Sequence, residues 1–299
     1  MAFLTIFTAP KPFTNPHINI IQRNALAAWT RLSEVEVVVI GDEPGIPEAA
    51  QDFGVRNVAQ VNRDEKGIPL VNAVMEIGHV YGHSPVLCYA NADMLLMTDL
   101  VEAAQQVSSQ AKDFLLVGQR WDLDLDEPFD FSGDWEARLR GEVEKRGKFY
   151  SPWGIDYFVF PRHLYTKVPD FTIGRPAWDN WMVYHARTTW GLVVDVTRSV
   201  TAVHQTHDYS HLPGNKPPYH SEVAKSNLVK AGGRRCTNNI LDANRELISG
   251  HVCRPKFMMA RLLRRLEWLF ITDNLGSLRA QIGFRLQKMQ RPLATKPRR

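Results

Sequence analysis

In Val86-Leu-Cys-Tyr-Ala-Asn-Ala-Asp-Met-Leu-Leu96, an apolar run is cut by two oxygen-bearing side chains two residues apart, Asn91 and Asp93. On an extended segment these two share one face. Both can then turn to a single hard cation, and Mg²⁺ or Mn²⁺ typically takes one or two carboxylates together with phosphate oxygens and water. A buried strand ending in a carboxylate delivers it to the rim of an α/β sheet, where such folds bind ligands, and a metal-bound diphosphate suits that place. An Asx turn at a strand end fits the triplet equally well.

A second set of metal-competent groups is His204-Gln-Thr-His-Asp-Tyr-Ser-His211, with three His and one Asp in eight residues after two apolar strands, 192–196 and 200–203. Neutral imidazole ligates several divalent transition metals. The alternative is a solvated polar loop, which is the reading adopted for His211. Acid–base chemistry has two candidates. Asp179 lies in Phe171 to Ala186, a Gly/Pro-punctuated loop entering a helix. Pro176 suits the first helical turn, and Asp179 falls where a helix N-terminus stabilises a carboxylate. It can equally satisfy terminal amides, with Trp178 and Trp181 as core packing. Asp156 precedes the aromatic strand Tyr157-Phe-Val-Phe160, where it either meets a ligand or caps a turn. The alternating acids of Arg120-Trp-Asp-Leu-Asp-Leu-Asp-Glu-Pro128 fail the calcium-loop template: counted from Asp122, position six is Glu127 and position twelve is Gly133.

The elements that must position these groups alternate. A strand over 3–8 precedes a helix over 17–32 with Ile18, Ile21, Ala25, Ala28, Trp29 and Leu32 at helical spacing, then a strand at Val35 to Ile40. The pattern continues with a helix at 47–53, a strand at 55–61, a helix at 69–81, the Asn91-Ala-Asp93 strand, a helix at 98–110 and a strand at 114–117. This order predicts right-handed crossovers and a mostly parallel, Rossmann-like sheet. The chain lacks Gly-x-Gly-x-x-Gly and the P-loop signature. Beyond residue 117 the pattern is less regular, which predicts a mixed sheet with long loops over the ligand edge.

At 299 residues, with 44% apolar and 23% charged side chains, the composition is that of a folded globular protein. Met1 to Thr8 has no basic n-region and too short an apolar run for a signal peptide, so it reads as the first strand. Three cysteines, Cys88, Cys236 and Cys253, argue against a disulfide framework and for a reducing, cytoplasmic setting. The net charge of +4 is unevenly spread: residues 251–299 hold twelve Lys/Arg and two acids, leaving 24 basic and 30 acidic residues elsewhere. In 257–271, Arg261, Arg264, Arg265 and Trp268 recur at helical spacing beside Met258, Leu262, Leu266 and Leu269, and 275–289 reads as a second helix. This tail is too short and charged to span a bilayer. It either docks its apolar face on the rest of the chain or on a second subunit, the preferred reading, or lies on an anionic leaflet at the inner face of a membrane. Nucleic acid is not expected as a partner, and 294–299 is expected to be disordered.

Over residues 3–211 the order of motifs resembles that of GT-A nucleotide-sugar glycosyltransferases: Thr8-Ala9-Pro10, Gly41-Asp42, Asn91-Ala92-Asp93, Trp178-Asp179-Asn180 and His204-Gln-Thr-His207. The resemblance implies a GT-A-like Rossmann-type mixed sheet flanked by helices, with a nucleotide-binding half (1–110) and an acceptor half (111–250); the basic helical segment read from charge and spacing is then a C-terminal appendage (251–299). It implies a hexosyl or related sugar transferase, possessing a nucleotide-sugar donor, a glycan or lipid-linked acceptor, and Mn²⁺ or Mg²⁺ held by Asp93 with His204 and then His207. Asp179 becomes the leading base of an inverting reaction and Asp156 the competing one. Thr8, Ala9, Asp42, Arg63, Lys66, Asn72 and Asn91 become the nucleotide contacts, and Arg120, Trp121, Asp122 and Trp178 the acceptor rim. Many members of that class have Asp where this chain has Asn91. One fewer negative charge leaves room for a metal-independent enzyme or a degenerate sugar-nucleotide-binding scaffold. A nucleotidyltransferase is the other alternative, but Thr8-Ala-Pro-Lys-Pro12 lacks its Gly-rich first loop.

Overall fold

The computed structural model describes residues 2–207 and 221–297. His211, read as part of a polar loop, lies outside the described residues. Among the described residues the central sheet has nine strands. They are β1 (Leu4–Thr8), β2 (Val35–Ile40), β3 (Arg56–Val58), β4 (Val86–Ala90), β6 (Leu115–Val117), β9 (Tyr157–Pro161), β10 (Val193–Asp195), β12 (Arg245–Ile248) and β13 (His251–Cys253). Their order is β13-β12-β10-β6-β9-β4-β1-β2-β3. β1 runs parallel to β2 and β4, while β9 is antiparallel to both β4 and β6. The mixed sheet expected from the less regular second half is therefore produced by β9 and, at the edge, by β13, antiparallel to β12. The expected division at residue 250 falls inside the β12–β13 hairpin, so the sheet runs on into the basic segment.

Successive strand residues point to opposite faces, and both faces are covered. One layer holds Ile6, Val39, Cys88 and Val159 against α1 (Pro16–Trp29), α4 (Thr98–Ser108) and α5 (Trp135–Arg146). The other holds Phe7, Val38, Tyr89 and Phe158 against α3 (Val71–Tyr81) and α6 (Trp178–Thr189). Asn15 starts α1, its side chain accepting from the backbone of His17 and Ile18. A short helix, α2 (Ile46–Asp52), follows the turn after β2.

A smaller sheet, in the order β5-β11-β7-β8, is laid across the ligand edge: β5 (Met94–Leu95), β7 (Arg120–Leu123), β8 (Lys148–Phe149) and β11 (Ala202–Gln205). Beyond it come α7 (Glu222–Ala231), α8 (Met259–Trp268) and α9 (Leu278–Ala294). Ala294 is buried and helical, so the expected disorder does not begin there.

Candidate metal and acid–base site

The smaller sheet explains why Asp93 meets the histidines. The chain leaves β4 at Ala90, turns, and re-enters a sheet as β5, which pairs antiparallel with β11 so that Met94 faces His204. On the other side of β11, parallel β7 sets Asp122 opposite His204. Gln205 fastens the turn, its backbone N–H donating to the Asp93 carbonyl at 3.0 Å. Register thus sets His204 beside Asp122, and the Gln205–Asp93 backbone bond brings the turn that carries Asp93 alongside them.

Asp93 Oδ2 lies 3.6 Å from His204 Nε2 and 3.2 Å from His207 Nε2, and His204 Nδ1 lies 3.1 Å from Asp122 Oδ1. Ligand atoms of Asp93, His204 and His207 fall within 4.8 Å of one another. Burial pushes the Asp93 carboxyl up, but the His204 charge and the imidazole hydrogen bonds outweigh it and hold the carboxyl well below the ordinary range. Burial likewise disfavours the His204 imidazolium, and the Asp93 carboxylate overrides it, raising His204 to about 9. Asp93 Oδ1 is buried without a hydrogen-bond partner. An orphaned carboxylate oxygen beside two imidazoles is the donor set of a divalent transition ion, and two nitrogen ligands suit Mn²⁺ better than Mg²⁺. Asp122 orients His204 through its other ring nitrogen, as supporting carboxylates do around metal-binding histidines.

Asn91 is not among these ligands. Its amide donates to Asp156 Oδ1 at 2.9 Å and its carbonyl oxygen accepts from the Tyr89 hydroxyl at 3.1 Å. The shared face expected for Asn91 and Asp93 is lost because the strand ends at Ala90 and the two residues enter a turn. Asp156 gives its other oxygen to Arg120, at 2.5 Å, and Arg120 also holds Asp122 at 2.9 Å. With both oxygens occupied, Asp156 is a structural organiser of Asn91 and Arg120.

Asp179 differs. It is the second residue of α6, two after Ala177, which takes a φ of 88°, a left-handed conformation costly for a residue with a Cβ. Its Oδ1 is buried and unpartnered. Burial raises its carboxyl to about 7; backbone N–H groups oppose that rise, and the neighbouring Asp156 charge adds to it. The expectation that the helix N-terminus would favour the anion is thus corrected: terminal amides are present, but desolvation exceeds them. Pro176 lies ahead of the helix and outside its first turn.

Two cavities meet here. One, of about 510 Å³, is lined by Ala9, Lys11, Glu43, Asp93, His204 and His207 among others. The second, of about 690 Å³, is lined by Trp153, Trp178, Asp179 and, from α9, Gln287 and Arg291. Asn91, Arg120, Asp156, Gly174 and Arg175 border both. Trp178 also packs on Tyr89, with ring centroids 5.3 Å apart.

Several expected contacts stand elsewhere. Trp121 points away from Arg120 and Asp122 by strand alternation and packs on Phe149 at 4.9 Å, so it is not on the acceptor rim. Asp122 serves His204 and lines neither cavity. Arg63 is claimed by Asp42 at 2.6 Å and Glu43 at 2.5 Å, which satisfies the charge expected to meet a diphosphate. Asp42 and Arg63 line a separate depression, and it is Glu43 that faces the first cavity. Lys66 and Asn72 line neither cavity, and Thr8 is fully buried with its hydroxyl unpartnered. Sequence reading missed Lys11, whose Nζ is 3.4 Å from His207 Nε2, and Arg175. Lys11 had a usable signal: a cation between two prolines directly after the first strand, on the edge that carries Asp93.

No protein-family profile and no curated protein sequence matches the chain. Among solved structures it is similar to glucosyl-3-phosphoglycerate synthase from Mycobacterium tuberculosis, at 13% sequence identity and a TM-score of 0.47 over 78% of this chain and 81% of that one. That enzyme in complex with Mn²⁺, uridine-diphosphate-glucose and phosphoglyceric acid gives 13% identity and a TM-score of 0.48 over 78% and 80% of the two chains. Its complex with Mg²⁺ and uridine-diphosphate gives 12% and 0.47 over 86% and 87%.

Proposed function

We propose that the chain is a glycosyltransferase that moves a sugar, in the first instance a hexosyl group, from a nucleotide-sugar donor to an acceptor hydroxyl, using a divalent ion and inverting the anomeric centre. The observation that carries this reading is the pair of adjoining cavities, one bearing Asp93, His204 and His207 and the other a carboxyl poised near neutrality. The sequence resemblance supplied the same division of labour.

In this reading the donor's diphosphate enters the first cavity near Lys11 and Arg175, whose charges favour it there. Asp93, His204 and His207 would hold the ion. A bound divalent ion supplies positive charge to the departing nucleoside diphosphate. Asp179 carries the acid–base step. Its carboxylate takes the acceptor hydroxyl proton as the acceptor oxygen bonds to the anomeric carbon and the bond to the phosphate oxygen breaks. A base with a pKa near the working pH combines available carboxylate with useful basicity. Arg120 and Asn91, locked by Asp156, form the wall against which the transferred sugar rests.

The reading is tested by calorimetric titration of the chain with nucleoside diphosphates and nucleotide sugars, with and without Mn²⁺, using wild type and Asp93→Ala. Mn²⁺-dependent binding of one nucleotide that the variant loses, with acceptor-dependent release of the diphosphate, is the expected result. Binding without turnover under any acceptor would favour the sugar-nucleotide scaffold, and no binding at all would sink the donor site.

A further inference from the structure

Helix α8 is docked through two buried arginines. Arg261 donates to Asp195 at 2.8 Å and to Glu246 at 3.0 Å, and Arg264 reaches Asp242 at 2.9 Å and Glu267 at 3.0 Å while lying over the Trp153 ring. Both guanidinium groups are buried. The opposite side of α8 is apolar and faces out: Met259, Leu262, Leu266 and Leu269 are all exposed, the last at 63%. At 3.6 residues per turn these four fall within an arc of about 80°. Of the stripe expected to dock on the rest of the chain or on a second subunit, Met258 packs within the chain, whereas the buried ion pairs hold Leu262, Leu266 and Leu269 outwards.

The exposure is concentrated. Of thirteen exposed large apolar side chains among the described residues, ten lie between Phe257 and Leu293. On α9 the outward set includes Leu278 at 72%, Phe284 and Met289. Exposed cations are interspersed with them: Arg254, Lys256 and Arg265 around α8, and Arg279, Arg285 and Lys288 on α9. The acids in this stretch are Glu267, buried against Arg264, and Asp273, which accepts from the Arg234 backbone. A second copy would bring two cationic faces together, whereas apolar side chains among unopposed cations match the headgroup region of an anionic leaflet.

We propose that α8 and α9 form a membrane-docking face that lies in the plane of an anionic lipid surface. No helix among the described residues is long and apolar enough to cross a membrane, so the attachment is interfacial. Gln287 and Arg291, on the other side of α9, line the cavity that holds Asp179, so docking sets that cavity about one helix thickness from the leaflet. The attachment itself stands independently of the sugar-transfer reading.

The test is co-sedimentation of the full chain with vesicles of phosphatidylcholine alone and of phosphatidylcholine with phosphatidylglycerol in equal parts, at low and high salt. Two double variants accompany it, Leu266→Ser with Leu269→Ser and Arg279→Gln with Arg285→Gln, each checked for an unchanged circular dichroism spectrum. Expected are salt-sensitive binding to the anionic vesicles and partition roughly tenfold or more weaker in each double variant. Both pairs change exposed side chains, so loss of fold in one leaves the other to decide. Absence of binding, equal binding to neutral vesicles, or variants that bind as wild type does would overturn the proposal. So would a dimer in light scattering that the serine variant dissolves, because a second copy would then be covering the face.

Discussion

Asp179 has one unpartnered oxygen and a carboxyl raised from 3.8 to about 7. For an acid raised on folding, the native state binds more protons than the unfolded chain between those two values, so stability falls as pH climbs from about 4 to about 7. Asp179→Asn removes that loss. Its melting temperature should match wild type near pH 4 and exceed it at pH 8, by an amount on the order of a few kcal/mol in stability. Activity should move the other way: kcat/KM of wild type rises with pH through about 7, and the variant loses about 10²- to 10⁴-fold in kcat. A variant that keeps its rate, or a wild-type profile flat across neutrality, would remove Asp179 from the acid–base role. At this scale the sequence points to residues that the fold brings together, and less to their partners. Asp93, His204 and His207 were named from spacing and resemblance, but Asn91 was paired with Asp93 because the turn after Ala90 cannot be seen in the triplet. Its true partner, Asp156, is 65 positions away.

Elements were legible where burial alternated cleanly. The Val35–Ile40 strand lies where its β-branched run placed it, and the helices at 17–32, 69–81 and 98–110 are present as Pro16–Trp29, Val71–Tyr81 and Thr98–Ser108. Polar elements were missed. Arg120–Leu123 reads as a polar acceptor rim, yet it is a strand, because Arg120, Asp122 and His204 satisfy one another only after folding. Trp135–Arg146 buries just Trp135, Leu139 and Val143, too thin a stripe to stand out from its charges. The orientation of α8 was hidden for the same reason: helical periodicity gives two faces without saying which one is buried. Arg261 is the side chain that decides it. Arg261→Ala removes the buried guanidinium that Asp195 and Glu246 share, and urea unfolding should show a loss of about 3–5 kcal/mol. Replacing the whole triad by apolar or amide residues of similar size, Arg261→Met with Asp195→Asn and Glu246→Gln, should cost clearly less. If the single and triple variants lose equally, the triad is not what anchors α8.

Across the whole molecule, the ligand edge is held by charges whose protonation is coupled to folding, and this gives a measurable signature of the metal. Lowered groups such as Asp93 and Asp122 add stability above their ordinary pKa that is lost as pH falls through the depressed one. His204 is the reverse: raised from 6.5 to about 9, it adds stability that is complete below about 6.5 and disappears as pH rises through about 9. With Asp179 also destabilising towards alkaline pH, the metal-free chain should be most stable on the acid side of neutrality and melt at progressively lower temperature up to pH 9. A divalent ion changes that course. It needs His204 neutral, so binding releases a proton and tightens as pH rises. At a free concentration about 100-fold above its dissociation constant the ion should stabilise the fold by about 2.7 kcal/mol, several degrees in melting temperature for a chain of this size. The difference between Mn²⁺-loaded and metal-free melting temperatures should therefore widen from pH 6 to pH 9 and vanish in His204→Ala. A shift that does not change with pH, or that survives the substitution, would place the ion elsewhere. In that event the Asp93, His204 and His207 triangle would be an ion-pair lock, joining the turn after β4 to β11 and to the backbone beyond it.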